Sequence, residues 1–311
     1  MKNKSLRKYA LPIILALTLI ATGIQTFLLV GYYDKGASLY KHSVPDALQT
    51  VTWVLFALTL ILSIALAMTI KPGRNVQPKL VSPIAWAGAS ILVPSLIAFC
   101  VFSLFVNIPG DRVPALISEV LESSGQIRSM VFATYLAKYG AYLAILAAVF
   151  PAVMLITNKA NPISAIFTSV WAMTVALRSY FDIDTPMNDP LRLLRIVGFA
   201  GAVLAFCLET RGGLHRLTDR LAVVLGSIAF FATTVASVPT IICCVTNKML
   251  QTDLFGALAL LGTSLITLDR IAAVSRAKRH RIHSHDTRKE PAEATATVEA
   301  SETQAENGEA Q

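Results

Sequence analysis

Charge is the first thing this chain has little of. Charged residues make up 15% of its 311 residues, hydrophobic residues make up 54%, and mean hydropathy is +0.60. Such a composition excludes a disordered chain and an ordinary soluble enzyme, and it fits an integral membrane protein. Cysteine is scarce too. Cys100, Cys207, Cys243 and Cys244 all fall inside apolar runs, and none has the spacing of a zinc or redox pair. They read as small packing residues.

Histidine is missing from every long apolar run. His42 and His215 fall between runs, and His280, His283 and His285 lie near the C-terminus. That argues against haem held between helix histidines and against a Ser–His hydrolase inside the bilayer. No carboxylate stands near the midpoint of a run, since Glu209 and Asp269 stand at run ends. A proton relay across the membrane therefore lacks its carriers. There is no P-loop, no HExxH and no Gly-rich dinucleotide fingerprint. No metal, no cofactor and no enzymatic activity are expected.

What is present is a series of runs long enough to span. A bilayer core takes about 20 apolar residues per helix. The candidates are 9–30, 51–70, 84–106, 135–156, 163–181, 191–208, 221–245 and 254–268. The fifth, sixth and eighth are shorter or carry charge, so seven is the alternative count. The first follows Lys2, Lys4, Arg7 and Lys8 and is too long for the core of a signal peptide, which predicts a retained helix. Eight spans put both termini on one side. Eighteen basic residues then fall on the terminal side and nine on the other, which predicts cytoplasmic termini.

The longest connection, 107–134, has a helical apolar period through Val113, Leu116, Ile117, Val120 and Leu121. Asp111 and Pro114 suit its start and Gly125 its stop, which predicts a short amphipathic helix on the outer interface. The other end of the chain differs. Residues 1–275 carry +9, whereas residues 276–311 hold six basic and seven acidic residues. This tail has too little apolar content to fold, so it is expected to be disordered and cytoplasmic. Its basic part, Arg276, Lys278, Arg279 and Arg281, can bind anionic lipid headgroups. No reader module accompanies it, so nucleic acid is not an expected partner.

The unusual stretch is Arg178 to Arg195. Arg178, Arg192 and Arg195 lie on the outer side, against the positive-inside bias, and the uncharged apolar sequence on either side is too short to span alone. A charge at that depth needs a partner. Arg178 and Asp182 are four apart, while Asp184 and Asp189 are close in sequence. Asp189 before Pro190 predicts an N-cap and the start of the sixth helix. In one reading these residues form a structural Arg/Asp network that fixes a hairpin. In the other they form an outward-facing pocket for a carboxylate or lipid phosphate, because guanidinium suits bidentate contacts. Tyr33 and Asp34 form a second candidate outer loop.

Tyr180-Phe181-Asp182 through Met187-Asn188-Asp189-Pro190, followed by Phe206 to Arg211, resembles an uncharacterised family of bacterial multi-span integral membrane proteins. The Tyr33-Asp34 loop with Gly36, Leu39 and His42 is similar to that family as well. The resemblance implies a multi-span fold in a bacterial plasma membrane and brings no reaction with it. The expected fold is all-α: a polytopic transmembrane helix bundle of about eight spans, with the outer amphipathic helix and the disordered tail. The expected function is non-enzymatic, as an accessory, sensory or envelope-associated component. The alternative is a transporter or binding protein for a small anion or lipid, using the arginine-containing mouth.

Overall fold

The computed structural model describes residues 2–34, 39–40, 46–69, 82–105, 125–182, 188–214, 218–246 and 252–286. Among them are eight helices: α1 (Lys2–Tyr32), α2 (Asp46–Thr69), α3 (Pro83–Phe105), α4 (Gly125–Thr157), α5 (Pro162–Phe181), α6 (Pro190–Gly213), α7 (Asp219–Thr246) and α8 (Thr252–Asp286). A two-residue antiparallel pair, β1 (Tyr33–Asp34) and β2 (Leu39–Tyr40), joins α1 to α2, with Tyr33 opposite Tyr40. Seven of the described helices are long and apolar enough to cross a membrane, so this is a multi-span helical bundle. The exception is α5, whose 20 residues suffice in length but are diluted by Arg178 and several hydroxyl side chains.

The helices alternate in direction. Gln25 of α1 hydrogen-bonds Thr52 of α2 at 3.1 Å, Thr168 of α5 donates to the Ala147 carbonyl of α4 at 3.0 Å, and Arg192 at the start of α6 reaches the end of α5. α5 therefore lies antiparallel between α4 and α6, against which it packs closely. α7 and α8 are the most buried spans, 67% and 61%, against 33% for α1 and α2. The core shared by α3, α4, α5 and α6 is aromatic. Trp171 sits edge-on between Phe99, at 5.5 Å, and Phe199, at 5.4 Å, and Phe150 meets Phe206 at 5.6 Å. All five rings are at most 3% exposed. The outward side chains, among them Trp53, Ile61, Met68, Phe105 and Ile156, are large and apolar, as lipid contact requires.

Hydroxyl side chains at helical spacing bond within their own helices. Thr18, Thr22, Thr233 and Thr240 each donate to the carbonyl one turn back in their own helix, at 2.7–2.8 Å. Small residues instead allow close crossings. A Cβ on Gly88 would stand 2.7 Å from the Gly262 carbonyl oxygen, and one on Gly198 would stand 2.5 Å from the Ala236 Cβ.

Three sequence expectations change. The sixth span is not short: α6 runs 24 residues, because Arg192, Arg195 and Glu209 find partners and the helix passes through them. α4 begins at Gly125, where the sequence predicts a helix stop. The compact unit ends at Ile271, yet the α8 helix continues past Arg276 to Asp286. Once a span has nucleated the helix, Ala, Arg and Lys propagate it at little cost. The amphipathic stretch at 107–124 and the tail from 287 onward lie outside the described residues.

Candidate functional site

The site lies at the end of the bundle where α5 finishes and α6 and α8 begin. Local sequence dictates the turn. Asp189 is the N-cap of α6, its Oδ1 accepting from the Leu191 amide at 3.0 Å, with Pro190 in the first helical position. Burial pushes the Asp189 carboxyl above its usual range, partly offset by the Leu191 amide and by Arg195. The cap needs an acceptor oxygen, and an amide supplies one without the buried charge. Asp189→Ala is expected to cost about 1 kcal/mol and Asp189→Asn much less. Thermal melting of the detergent-solubilised protein checks the ranking.

Arg192 closes α5 from the neighbouring helix. Its Nε donates to the Ser179 carbonyl at 2.8 Å and its Nη2 to the Tyr180 carbonyl at 2.6 Å, with the residue 3% exposed. Those two carbonyls belong to the last turn of α5 and have no partner within the helix. A guanidinium placed there also meets the negative end of the α5 dipole.

Arg195, one turn further along α6, pairs with Asp253 of α8, Nη2 to Oδ2 at 2.7 Å, both side chains about a quarter exposed. Sequence reasoning missed Asp253. Its position in the first turn of the last span was the available signal, since an acid is favoured there and a cation two spans away lacked a partner.

Arg178 and Asp182 do not pair. α5 stops at Phe181, and Asp182, its C-cap, is extended (φ −67°, ψ 115°), so the two are no longer neighbours on one helix face. Arg178 makes no hydrogen bond or ion pair among the described residues, and it feels the charges of Arg195, Asp253 and Asp182. Asp184 lies outside the described residues. Arg178 and Arg195 instead border a small cavity of about 30 Å³ with Asp253 and Thr240, floored by Phe99, Phe199 and Leu260.

The Tyr33–Tyr40 hairpin belongs to the same end. Tyr33, Tyr40 and Leu194 pack on Leu29, Leu191 and Cys243, next to the α6 N-terminus, while Asp34 is exposed. The Tyr40 phenol is pushed well above its usual range, by burial first and then by Asp189 and Cys243, so it stays neutral.

The opposite end carries a second ionic cluster. Arg270 of α8 grips Glu209 of α6 through two bonds, 2.6 and 2.7 Å, and Ser82 donates to Asp269 at 2.5 Å. The sequence showed Glu209 and Asp269 at span ends without their partners. No group of three or more His, Cys, Asp or Glu able to hold a metal ion occurs among the described residues. The chain matches no known family model, no curated protein and no solved structure.

Proposed function

We propose that this protein is a non-enzymatic component of a bacterial plasma membrane, accessory, sensory or envelope-associated, that acts through its surfaces rather than by passing a solute. The observation that carries this reading is the packed aromatic centre below the arginines. Transport needs a hydrated path to mid-membrane. Beneath the arginines stand Phe99 and Phe199, clasping Trp171, all at most 3% exposed. The arginine network supports the same conclusion. Arg192 is engaged by two carbonyls and Arg195 by Asp253, so two of the three outer cations hold helices together.

In this reading both termini are cytoplasmic, with eighteen basic residues on their side against nine. The segment with Arg276, Lys278, Arg279 and Arg281 then meets anionic headgroups, at about 1 kcal/mol per residue. The sequence likeness to bacterial multi-span proteins supports the location.

Proteoliposomes provide the test. Protein reconstituted at known density is expected to leave halide, phosphate and carboxylate flux at the protein-free rate. Flux above that rate that Arg195→Ala abolishes would restore the transporter reading. Arg192→Ala is expected to lower the yield of folded protein, because two charged hydrogen bonds to helix-end carbonyls, worth roughly 3 kcal/mol together, are lost. Size-exclusion profiles of the solubilised variant check that outcome.

A further inference from the structure

We propose that the outward face of α4 holds one anionic glycerophospholipid, its phosphate on Lys138 and Tyr139 and its acyl chains along Tyr142, Ile145, Leu146 and Val149. Helical period sets this face. Ala137, Ala141, Ala144, Ala147 and Ala148 are at most 8% exposed and form the packed side. Tyr135, Lys138, Tyr139 and Tyr142, spaced by three and four, share the other side. Lys138 is exposed, Tyr139 and Tyr142 are 58% and 49% exposed, and Tyr135 stacks on Tyr139 at 6.3 Å. Below them the stripe turns aliphatic at Ile145, Leu146 and Val149, which are 45–53% exposed. One face therefore offers polar groups at one level and apolar groups at the next, in the order of a lipid's head and tails.

Depth fits the same assignment. α4 is apolar enough to span over Phe132–Thr157, 26 residues. That is about 39 Å of helix against a hydrocarbon core of about 30 Å. With the segment centred, Lys138 stands about 5 Å inside the hydrocarbon edge at the N-terminal end of α4. Helical side chains tilt toward the helix N-terminus, which here is toward the headgroups. The lysine stem therefore lies in apolar surroundings and its ammonium reaches phosphate level.

Charge decides the occupant. α4 and the helices packed on it, α3 and α5, contain no acidic residue. Lys138 makes no ion pair among the described residues. Asp182, just past α5, follows Phe181, whose ring meets Phe132 at 5.1 Å. Phe132 is six residues, or about 9 Å, nearer the helix start than Lys138. A lipid phosphate supplies the missing anion, and the Tyr139 phenol adds a donor to it. A second copy docked on this face, about a two-fold axis along the membrane normal, would set Lys138 against Lys138 at one depth with no acid between them. An ordinary aromatic belt is spread over the spans at both interfaces. Here three of the chain's eight tyrosines fall within about two turns of one helix face. The site gives the surface-acting reading a partner, and an absence of flux in proteoliposomes neither supports nor removes it.

Native mass spectrometry of the solubilised full chain, titrated with dioleoyl phosphatidylglycerol or dioleoyl phosphatidylcholine, tests the proposal. One phosphatidylglycerol per chain is expected to be held in preference to phosphatidylcholine. Lys138→Gln is expected to weaken that adduct about tenfold, the loss of one charge-assisted hydrogen bond, with an unchanged elution profile. Lys159→Gln, at an exposed lysine past the other end of α4, is the control and should leave the adduct intact. Equal retention of the two lipids, or an undiminished adduct with Lys138→Gln, overturns the proposal. So does a wild-type dimer that Lys138→Gln or Tyr139→Leu dissolves, which would put a second copy on this face. A variant-free arm covers a misfolded substitution. Phosphatidylglycerol with a photoreactive acyl chain, dilute in phosphatidylcholine nanodiscs, should label wild-type α4 more than α2, whose exposed Trp53, Ile61 and Met68 face has no basic residue. Equal labelling of the two helices overturns the proposal.

Discussion

Gly262→Leu is expected to remove nearly all folded protein from the solubilised membrane fraction. α3 and α8 cross here backbone to backbone. A Cβ on Gly262 would stand 2.7 Å from the Gly88 carbonyl oxygen and 3.1 Å from the Leu92 amide nitrogen and Cβ, and a Cβ on Gly88 would stand 2.7 Å from the Gly262 carbonyl oxygen. Neither close partner is the tip of a side chain that could rotate away. The helices would have to separate. Overpacking typically costs 1–3 kcal/mol, and a leucine against rigid backbone belongs at or above the upper end of roughly that range. The loss spreads because α8 also holds Phe99 and Phe199 through Gly256, where a Cβ would meet the Phe199 ring at 3.3 Å. Lipid offers no hydrophobic penalty for separation, so close packing is what keeps these helices together. Gly262→Ala should fall between the two, visible as a lowered melting temperature with folded protein still recovered. Gly23→Leu is the control: nothing lies within 4 Å of its Cβ position, and an unchanged elution profile is expected.

The contrast between Gly262 and Gly23 also marks what composition and pattern could reveal. Spans are legible because each is a single local property, about 20 apolar residues in a row, and α1 to α4 and α7 stand near their expected positions. The cap at Asp189 is legible for the same reason, since Asp-Pro specifies its own turn. Partnership across helices is not local. Arg178 and Asp182 read as a pair by spacing, but the helix ends between them. Arg195 and Asp253, and Glu209 and Arg270, are far apart in sequence and meet only because α6 and α8 run side by side. The hairpin at Tyr33 and the arginines of α5 and α6 likewise share one end of the bundle through packing of Tyr40 on Leu191 and Cys243, which no motif announces.

Those two ion pairs have a common logic that leads to the second large effect. α6 contributes a cation near its start, Arg195, and an anion near its finish, Glu209. α8 contributes the complement, Asp253 near its start and Arg270 late in its span. Paired in parallel, each charge meets its opposite. In the antiparallel arrangement Arg195 would face Arg270 and Glu209 would face Asp253. Ionic contacts of this kind specify orientation and register more than they add net stability. Glu209 is 8% exposed and accepts both of its bonds from Arg270. Arg270→Ala is therefore expected to cost about 3–5 kcal/mol, because it leaves a buried carboxylate without its partner. The double replacement Glu209→Leu with Arg270→Met should cost less than the single one, since neither charge remains. Exchange experiments separate orientation from strength. Swapping both members of one pair, Glu209→Arg with Arg270→Glu, should be recovered folded at reduced melting temperature. Reversing α6 alone at both ends, Arg195→Glu with Glu209→Arg, sets like charges against each other twice and should give no monodisperse protein. Equal recovery of the two exchanged proteins would mean that packing alone orients α6 and α8.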